Sequence, residues 1–537
     1  MVQLDVACTE LGTSPIPTAT RIGAWLHHRW HLVVAAVVSL AMRVPGMFNG
    51  LPYVLNPDEP VNYSIIHTMV VRHAVLPHEY TYPSLQYEMQ GVVHAMVLAA
   101  NTVTGAHAGS VGFGLAPGGH LGTTLVQSRA AWLAARGVVV VISTIGVVVA
   151  AHIAARFCAS KRVGLAAGVL AATSGIGVAS GFTITPDGLA GTMSILTLAC
   201  LVPLFLDSTD TTGRTWVITT GVCLGAATGS KYNAALLVLP VVLAAVLAPR
   251  RVRPTATQLL AVAAISLVAF TLTTPAVLFD TRAMFRDISG VLHHYSTGHP
   301  GAEGNSLGSN LRALWASDGL AVVLAGVALL LSRRRFTWVL AAWTVGYVVL
   351  VSQTTVHFDR NLTPVLGAVA VLGAIGAQAA YHAARASYRA EGWQRWAVPA
   401  AALALVAPAT SLHVRAAVGQ FHADVTDSVT SARNWLTHQI PEGAVVIVEP
   451  YAPYLDPVRY RLVVASGFAS DSSAAQLATA DFVVVTSDGT GRFLRDPRRY
   501  PQQAADAHRL IASSCVPDRY EDQFGYWMEL VDLRCSH

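Results

Sequence analysis

The chain is built around apolar runs that are each long enough to cross a lipid bilayer. About 20 apolar residues make a helix that spans the hydrocarbon core. Candidate runs fall at 31–49, 130–154, 163–181, 188–206, 215–230, 232–249, 256–275, 312–332, 337–353, 361–381 and 397–414. Of 537 residues, 53% are hydrophobic and 12% are charged, against about 25% charged in ordinary soluble domains. The expected fold class is therefore a polytopic α-helical membrane protein with about 11 transmembrane helices. The net charge of +5 calls for no nucleic-acid partner, because the basic residues cluster in short loops between the runs. Those clusters are Arg156, Lys161 and Arg162; Arg214; Arg250, Arg251 and Arg253; Arg333, Arg334 and Arg335; and Arg385, Arg389 and Arg395. With the N-terminus inside and eleven spans, every cluster is cytoplasmic, as the positive-inside rule requires.

Residues 1–30 read as a cytoplasmic tail leading into an uncleaved first span, with no secretory signal peptide. The transmembrane part runs over 31–414 and carries a long first outer loop, 50–128. Within that loop, 84–103 is apolar but carries Gln86, Glu88, Gln90 and His94. Counting it as a crossing would place Arg156, Lys161 and Arg162 outside, so it reads as an amphipathic helix in the outer membrane face. From 415 to 537 the pattern changes to a short amphipathic helix, a Pro-Glu-Gly turn and Val-rich strands, "GAVVIVEP" and "ADFVVVTSDG". This reads as a small extracytoplasmic α/β domain. Cys515 and Cys535 stand alone in that polar part, and an oxidising compartment favours a disulfide between them, closing a loop of roughly twenty residues. Zinc-ligand spacings are absent from the sequence.

Charged residues near the span ends are distributed unevenly. The inner ends carry arginines, whereas the outer ends collect acids, bases, histidines and tyrosines from distant segments. These are Asp58 and Glu59 in "YVLNPDEPVNYS", His78 and Glu79, Asp187 after Pro186, Lys231, His293, His294, His299, His357, Asp359 and Arg360. Carboxylates for proton abstraction beside cations for an anionic group are the composition of a reaction site. A transporter places its charges near the bilayer midplane instead.

Several stretches, in order, carry a resemblance to a known group. They are Asp58-Glu59 after the first span, Tyr82-Pro83 in "YTYPSLQYEMQ", "RAAWLAARGVVVVISTIGVVVAAHIAARF", "TPDGLAG", "GSKYNAALLVLP" and "FDRNLTPVLGAVAVLGA". Over nearly its whole length the chain resembles GT-C fold glycosyltransferases, the group holding bacterial aminoarabinose transferases and protein O-mannosyltransferases. The resemblance implies a sugar donor linked to polyprenyl phosphate and inversion at the anomeric carbon. Asp58 is then the general base, and Glu59 orients it, raises its pKa or binds sugar hydroxyls. Lys231 and Arg360 clamp the phosphate, and Asp187, His357 and Tyr82 contact substrate. Asn361 follows Arg360 where these families usually have Tyr, and the first loop lacks the lysine of the aminoarabinose transferases, so that sugar specificity is not carried over. A divalent ion on Asp58, Glu59 and Asp187 is chemically possible, but the first loop has no Asp-X-Asp and no metal is required.

Each residue also has a plainer reading. Asp58 and Glu59 are turn acids, Asp187 is a helix cap, Lys231 snorkels to headgroups and Arg360 pairs with Asp359. For the whole chain the expectation is transfer of a sugar to an envelope glycan or lipid on the outer face of the plasma membrane. The alternatives are transfer to protein hydroxyls and flipping of a lipid-linked sugar without transfer.

Overall fold

In a computed structural model the chain is described except at residues 1–17, 55, 57, 105–112, 115–123, 127, 207–212, 389–393, 427, 450, 466, 517, 524 and 535–537. The helices in order are α1 (Thr18–Arg43), α2 (Asp58–Val71), α3 (Leu85–Thr104), α4 (Arg129–Cys158), α5 (Lys161–Ala172), α6 (Gly175–Ala179), α7 (Asp187–Leu201) and α8 (Arg214–Ser230). There follow α9 (Val238–Leu247), α10 (Ala256–Thr273), α11 (Ala276–Phe279), α12 (Thr281–Thr297), α13 (Ser306–Leu331), α14 (Arg335–Val351), α15 (Thr363–Ser387) and α16 (Gln394–Val425). Three short antiparallel strands, β1 (Tyr53–Val54), β2 (Phe113–Gly114) and β3 (Thr124–Val126), tie the two ends of the first loop together in the order β1-β3-β2.

Among the described residues, seven helices are long and apolar enough to cross a membrane, and Tyr232–Leu247 and Arg335–Val351 are shorter apolar helices. The eleven spans expected from the sequence are thus met in full length by seven. One of the expected runs is broken by local chemistry. The run at 163–181 stops at Ala172, and Ser174 then caps a new short helix by accepting from the Gly177 N–H. The expected boundary between the runs at 215–230 and 232–249 falls at Lys231, whose backbone is extended (φ −154°, ψ 126°) between α8 and the 3-10 turn Tyr232–Leu237. The stretch expected as an amphipathic loop helix is α3, which packs on α2 and α4.

Helices of this kind gain little from hydrophobic contrast with lipid and associate through small residues and close packing. α15 illustrates this. Val365, Val369, Leu372 and Ile375 are buried in the main core, and a Cβ on Gly376 would overlap the Leu324 carbonyl of α13.

α16 continues to Val425, beyond the expected boundary at 415, and α17 (Ser428–Gln439) follows it. Strands β4 (Val445–Val448), β5 (Arg461–Val464), β6 (Phe482–Thr486), β7 (Asp518–Glu521) and β8 (Trp527–Asp532) form a mixed sheet in the order β5-β4-β6-β8-β7. β5, β4 and β6 are parallel, and β8 and β7 run antiparallel to their neighbours. The short helices α18 (Ala474–Leu477) and α19 (Gly491–Arg495) and the longer α20 (Pro501–Ala512) lie between strands. All five β6 residues are buried, as expected of a central strand covered on both faces. Ala432 and Leu436 of α17 pack in the cluster on one face and Leu510 of α20 in that on the other. Cys515 is disulfide-bonded, and the expected partner Cys535 lies outside the described residues.

The sheet docks on the loop end of the helical bundle through named contacts. Arg492 donates to His299 Nε2 at 2.7 Å and to the Pro300 carbonyl at 3.3 Å, and Arg499 pairs with Glu303. The Arg433 guanidinium lies 4.3 Å from the Tyr53 ring centroid.

Candidate active site

The site is assembled where four helices begin or end. Asp58 is the first residue of α2, with its N–H donating to Asn56 Oδ1 at 3.0 Å. Its carboxylate is ion-paired with Arg360, in the turn Asp359–Leu362 that opens α15. Both partners are part-exposed, their side chains 31% and 29% accessible respectively. Arg360 also lies 5.0 Å from the Phe358 ring centroid, which restricts where the guanidinium can swing.

Asp187 opens α7 and is buried. Its Oδ1 accepts from Lys231 Nζ at 2.7 Å, and the same ammonium donates to Asn361 Oδ1 at 2.8 Å. Asp187 Oδ2 is buried and makes no hydrogen bond among the described residues. The extended backbone at Lys231 lets the side chain leave the end of α8 and bridge the starts of α7 and α15. Arg360 and Asn361 are neighbours, so two ion pairs, Asp58–Arg360 and Asp187–Lys231, are joined through one turn. Asn361 Nδ2 further donates to Tyr295 Oη of α12 at 3.3 Å. Tyr82 lies beside this cluster. Burial pushes its hydroxyl well above the ordinary tyrosine range, and the nearby Asp187 carboxylate adds to the shift.

Other predicted residues are placed differently. Glu59 does not face Asp58's partner. It is buried and takes a two-pronged contact from Arg136 of α4, Nε to Oε1 at 2.9 Å and Nη2 to Oε2 at 2.7 Å. Its Oε1 also accepts from the Ile184 N–H at 3.0 Å, and Arg136 Nη1 donates to the carbonyls of Met47 and Asn49, each at 2.9 Å. This knot fixes the start of α2 against α4 and against the loop that precedes Asp187. His357 donates its N–H to the Ala302 carbonyl at 2.9 Å, and its buried Nδ1 makes no hydrogen bond among the described residues. No hydrogen bond links it to Asp58, Asp187, Lys231 or Arg360. His78 pairs with Asp280 at 3.1 Å, away from these ion pairs.

The three carboxylates that could share a divalent ion each face a separate cation: Asp58 with Arg360, Glu59 with Arg136 and Asp187 with Lys231. Among the described residues no group of three or more His, Cys, Asp or Glu is arranged to hold a metal.

Sequence reading missed Arg136, Asn361 as a bridge, and Tyr295. Arg136 carried a usable signal, because an arginine eight residues into a span is costly unless an acid meets it. Asn361 and Tyr295 carried none, since ordinary loop residues take roles only once the turn and α12 are placed.

No curated protein matches the chain in sequence. Residues 120–279 match the family described as dolichyl-phosphate-mannose-protein mannosyltransferase. Among solved structures, the Archaeoglobus fulgidus oligosaccharyltransferase aligns over 95% of this chain and 75% of its own, with TM-score 0.51 and 11% identity. ArnT from Cupriavidus metallidurans aligns over 96% and 99%, with TM-score 0.49 and 14% identity. The arabinofuranosyltransferase AftD from Mycobacteria aligns over 94% and 42%, with TM-score 0.43 and 14% identity. The architecture shared with the archaeal enzyme gives the chain the GT-C membrane fold, and the family match falls inside it at residues 120–279.

Proposed function

We propose that the enzyme moves a sugar from a polyprenyl-phosphate carrier to a hydroxyl of an envelope acceptor, at the outer face of the plasma membrane, with inversion. The reading is supported above all by the part-exposed Asp58–Arg360 pair set beside the buried Asp187–Lys231 pair. Arg360 neutralises Asp58 in the ion pair. An arriving lipid phosphate offers the guanidinium a better bidentate partner, so Arg360 turns to the phosphate and Asp58 is released to act as base. Asp58 then takes the proton of the acceptor hydroxyl, and the oxygen attacks the anomeric carbon on the face opposite the phosphate. The carbon–oxygen bond to the phosphate breaks, and the electron pair leaves with the phosphate, held by Arg360. Lys231 adds positive charge beside the turn and holds Asn361, and hence the Arg360 turn, in place. Glu59 acts as a positioning residue through the start of α2. Asp187 Oδ2, Tyr82 and His357 Nδ1 are left to meet substrate hydroxyls or phosphate oxygens. The 428–534 sheet covers the site and contributes to acceptor choice.

The test is transfer from a polyprenyl-phosphate-mannose donor by purified protein in detergent. Asp58→Asn is expected to lower turnover about 10²–10⁴-fold, the usual weight of a positioned base; unchanged turnover removes the assignment. Protein hydroxyls are the second acceptor reading, favoured by the family match over 120–279. Intact masses of secreted proteins from a deletion strain distinguish it, since that reading requires the loss of hexose increments.

A further inference from the structure

Helix α12 (Thr281–Thr297) presents a partly apolar face that no protein group covers among the described residues. On one side Met284 and Ile288 pack with Tyr80 and Ala276, and Asp287 Oδ2 accepts from the Tyr80 N–H at 3.0 Å. On the other side Phe285 and Leu292, seven residues apart and so on one stripe, are each 62% exposed. Leu278 and Phe279, immediately before α12, are 65% and 75% exposed. The stripe continues an existing lipid-facing surface, because α10 ends a few residues earlier with Leu272 73% and Leu267 63% exposed. Beside the apolar stripe runs a second exposed one holding Arg282, Arg286 and His293. Arg286 pairs with the adjacent Asp287 at 2.8 Å, and Arg282 makes no ion pair among the described residues.

An apolar stripe flanked by long cationic side chains is the pattern of a helix lying in the bilayer interface, with its arginines level with the phosphates. We infer that α12 is a membrane-docking element whose occupant is the lipid leaflet on the side of the active site: Phe285, Leu292, Leu278 and Phe279 enter the acyl boundary, and Arg282 and Arg286 bind anionic lipid phosphates. The far end of the same helix carries Tyr295, which touches Asn361. The depth of α12 in the leaflet thus sets where Tyr295 stands against the catalytic turn.

The test uses full-length protein in vesicles with an environment-sensitive fluorophore on Leu292→Cys. Leu272→Cys in α10 serves as the lipid-embedded control. Val458→Cys, 92% exposed on the 428–534 sheet portion, serves as the aqueous control. The Leu292 probe is expected to be blue-shifted and quenched by lipids brominated near the headgroup, as a shallow membrane site must be. Emission matching the Val458 control overturns docking. A blue shift without bromolipid quenching also overturns it, since a protein contact then covers the face. Brominated phosphatidylglycerol is expected to quench more than brominated phosphatidylcholine at equal mole fraction, and Arg282→Gln with Arg286→Gln should abolish the difference. Equal quenching in the parent protein overturns the phosphate-binding part.

Discussion

At the scale of single residues, the buried Glu59–Arg136 pair offers the sharpest stability test. Removing one member of a buried pair strands the other charge and typically costs about 3–5 kcal/mol, whereas replacing both by apolar groups is often neutral. Glu59→Leu should therefore lower the melting temperature in detergent strongly, while Glu59→Leu with Arg136→Met should recover most of the loss. A double variant as unstable as the single one would show that the backbone bonds of Arg136, not the pair, hold the start of α2. The pair also shows why charge spacing in sequence is a poor guide to partnership. Asp58 and Glu59 are neighbours in the chain, yet successive positions on a helix point about 100° apart. One carboxylate meets Arg360 and the other meets Arg136. Each carboxylate thus has its own cation.

At the scale of elements, the small residues of α15 set how near its partners approach. Gly376→Val should separate α15 from α13 and cost about 1–3 kcal/mol, as overpacking does, read as a lowered melting temperature with no new titration. Most helices were legible from run length alone, because a bilayer allows few alternatives. The break at Thr173–Ser174 was not legible, whereas the one at Lys231 separates the expected runs at 215–230 and 232–249. Within a buried, apolar run, polar residues that cap or bridge leave no mark in hydropathy, which averages them away. The break at Lys231 matters most, since a continuous helix through 215–249 would not leave the ammonium between Asp187 and Asn361. Residue types at the site were thus readable from the sequence, while their pairing was not, because pairing depends on where helices stop. The Val-rich strands β4 and β6 were also readable, since runs of β-branched and aromatic residues between turn signals, three of them buried in β4 and five in β6, suit little else.

At the scale of the whole molecule, His299 reports on the docking of the sheet against the loops. Burial and then the adjacent Arg492 push its pKa down to about 4, from an ordinary value of 6.5. Above pH 6.5 it is neutral whether folded or not. Between 6.5 and 4 the unfolded chain takes up a proton that the folded one refuses, so stability falls on acidification through that window. Melting temperatures at pH 7.5 and 5 should differ more in the parent protein than in His299→Gln. Equal differences would place the acid sensitivity elsewhere.

The matching of each site carboxylate with its own cation has a kinetic consequence. A site whose charges cancel in pairs projects little field into solution, and long-range steering scales with that field. Capture of the carrier should then depend weakly on ionic strength, and its arrival by lateral diffusion within the leaflet should dominate. Raising salt from 50 to 500 mM, about a threefold shorter screening length, should leave the donor KM nearly unchanged.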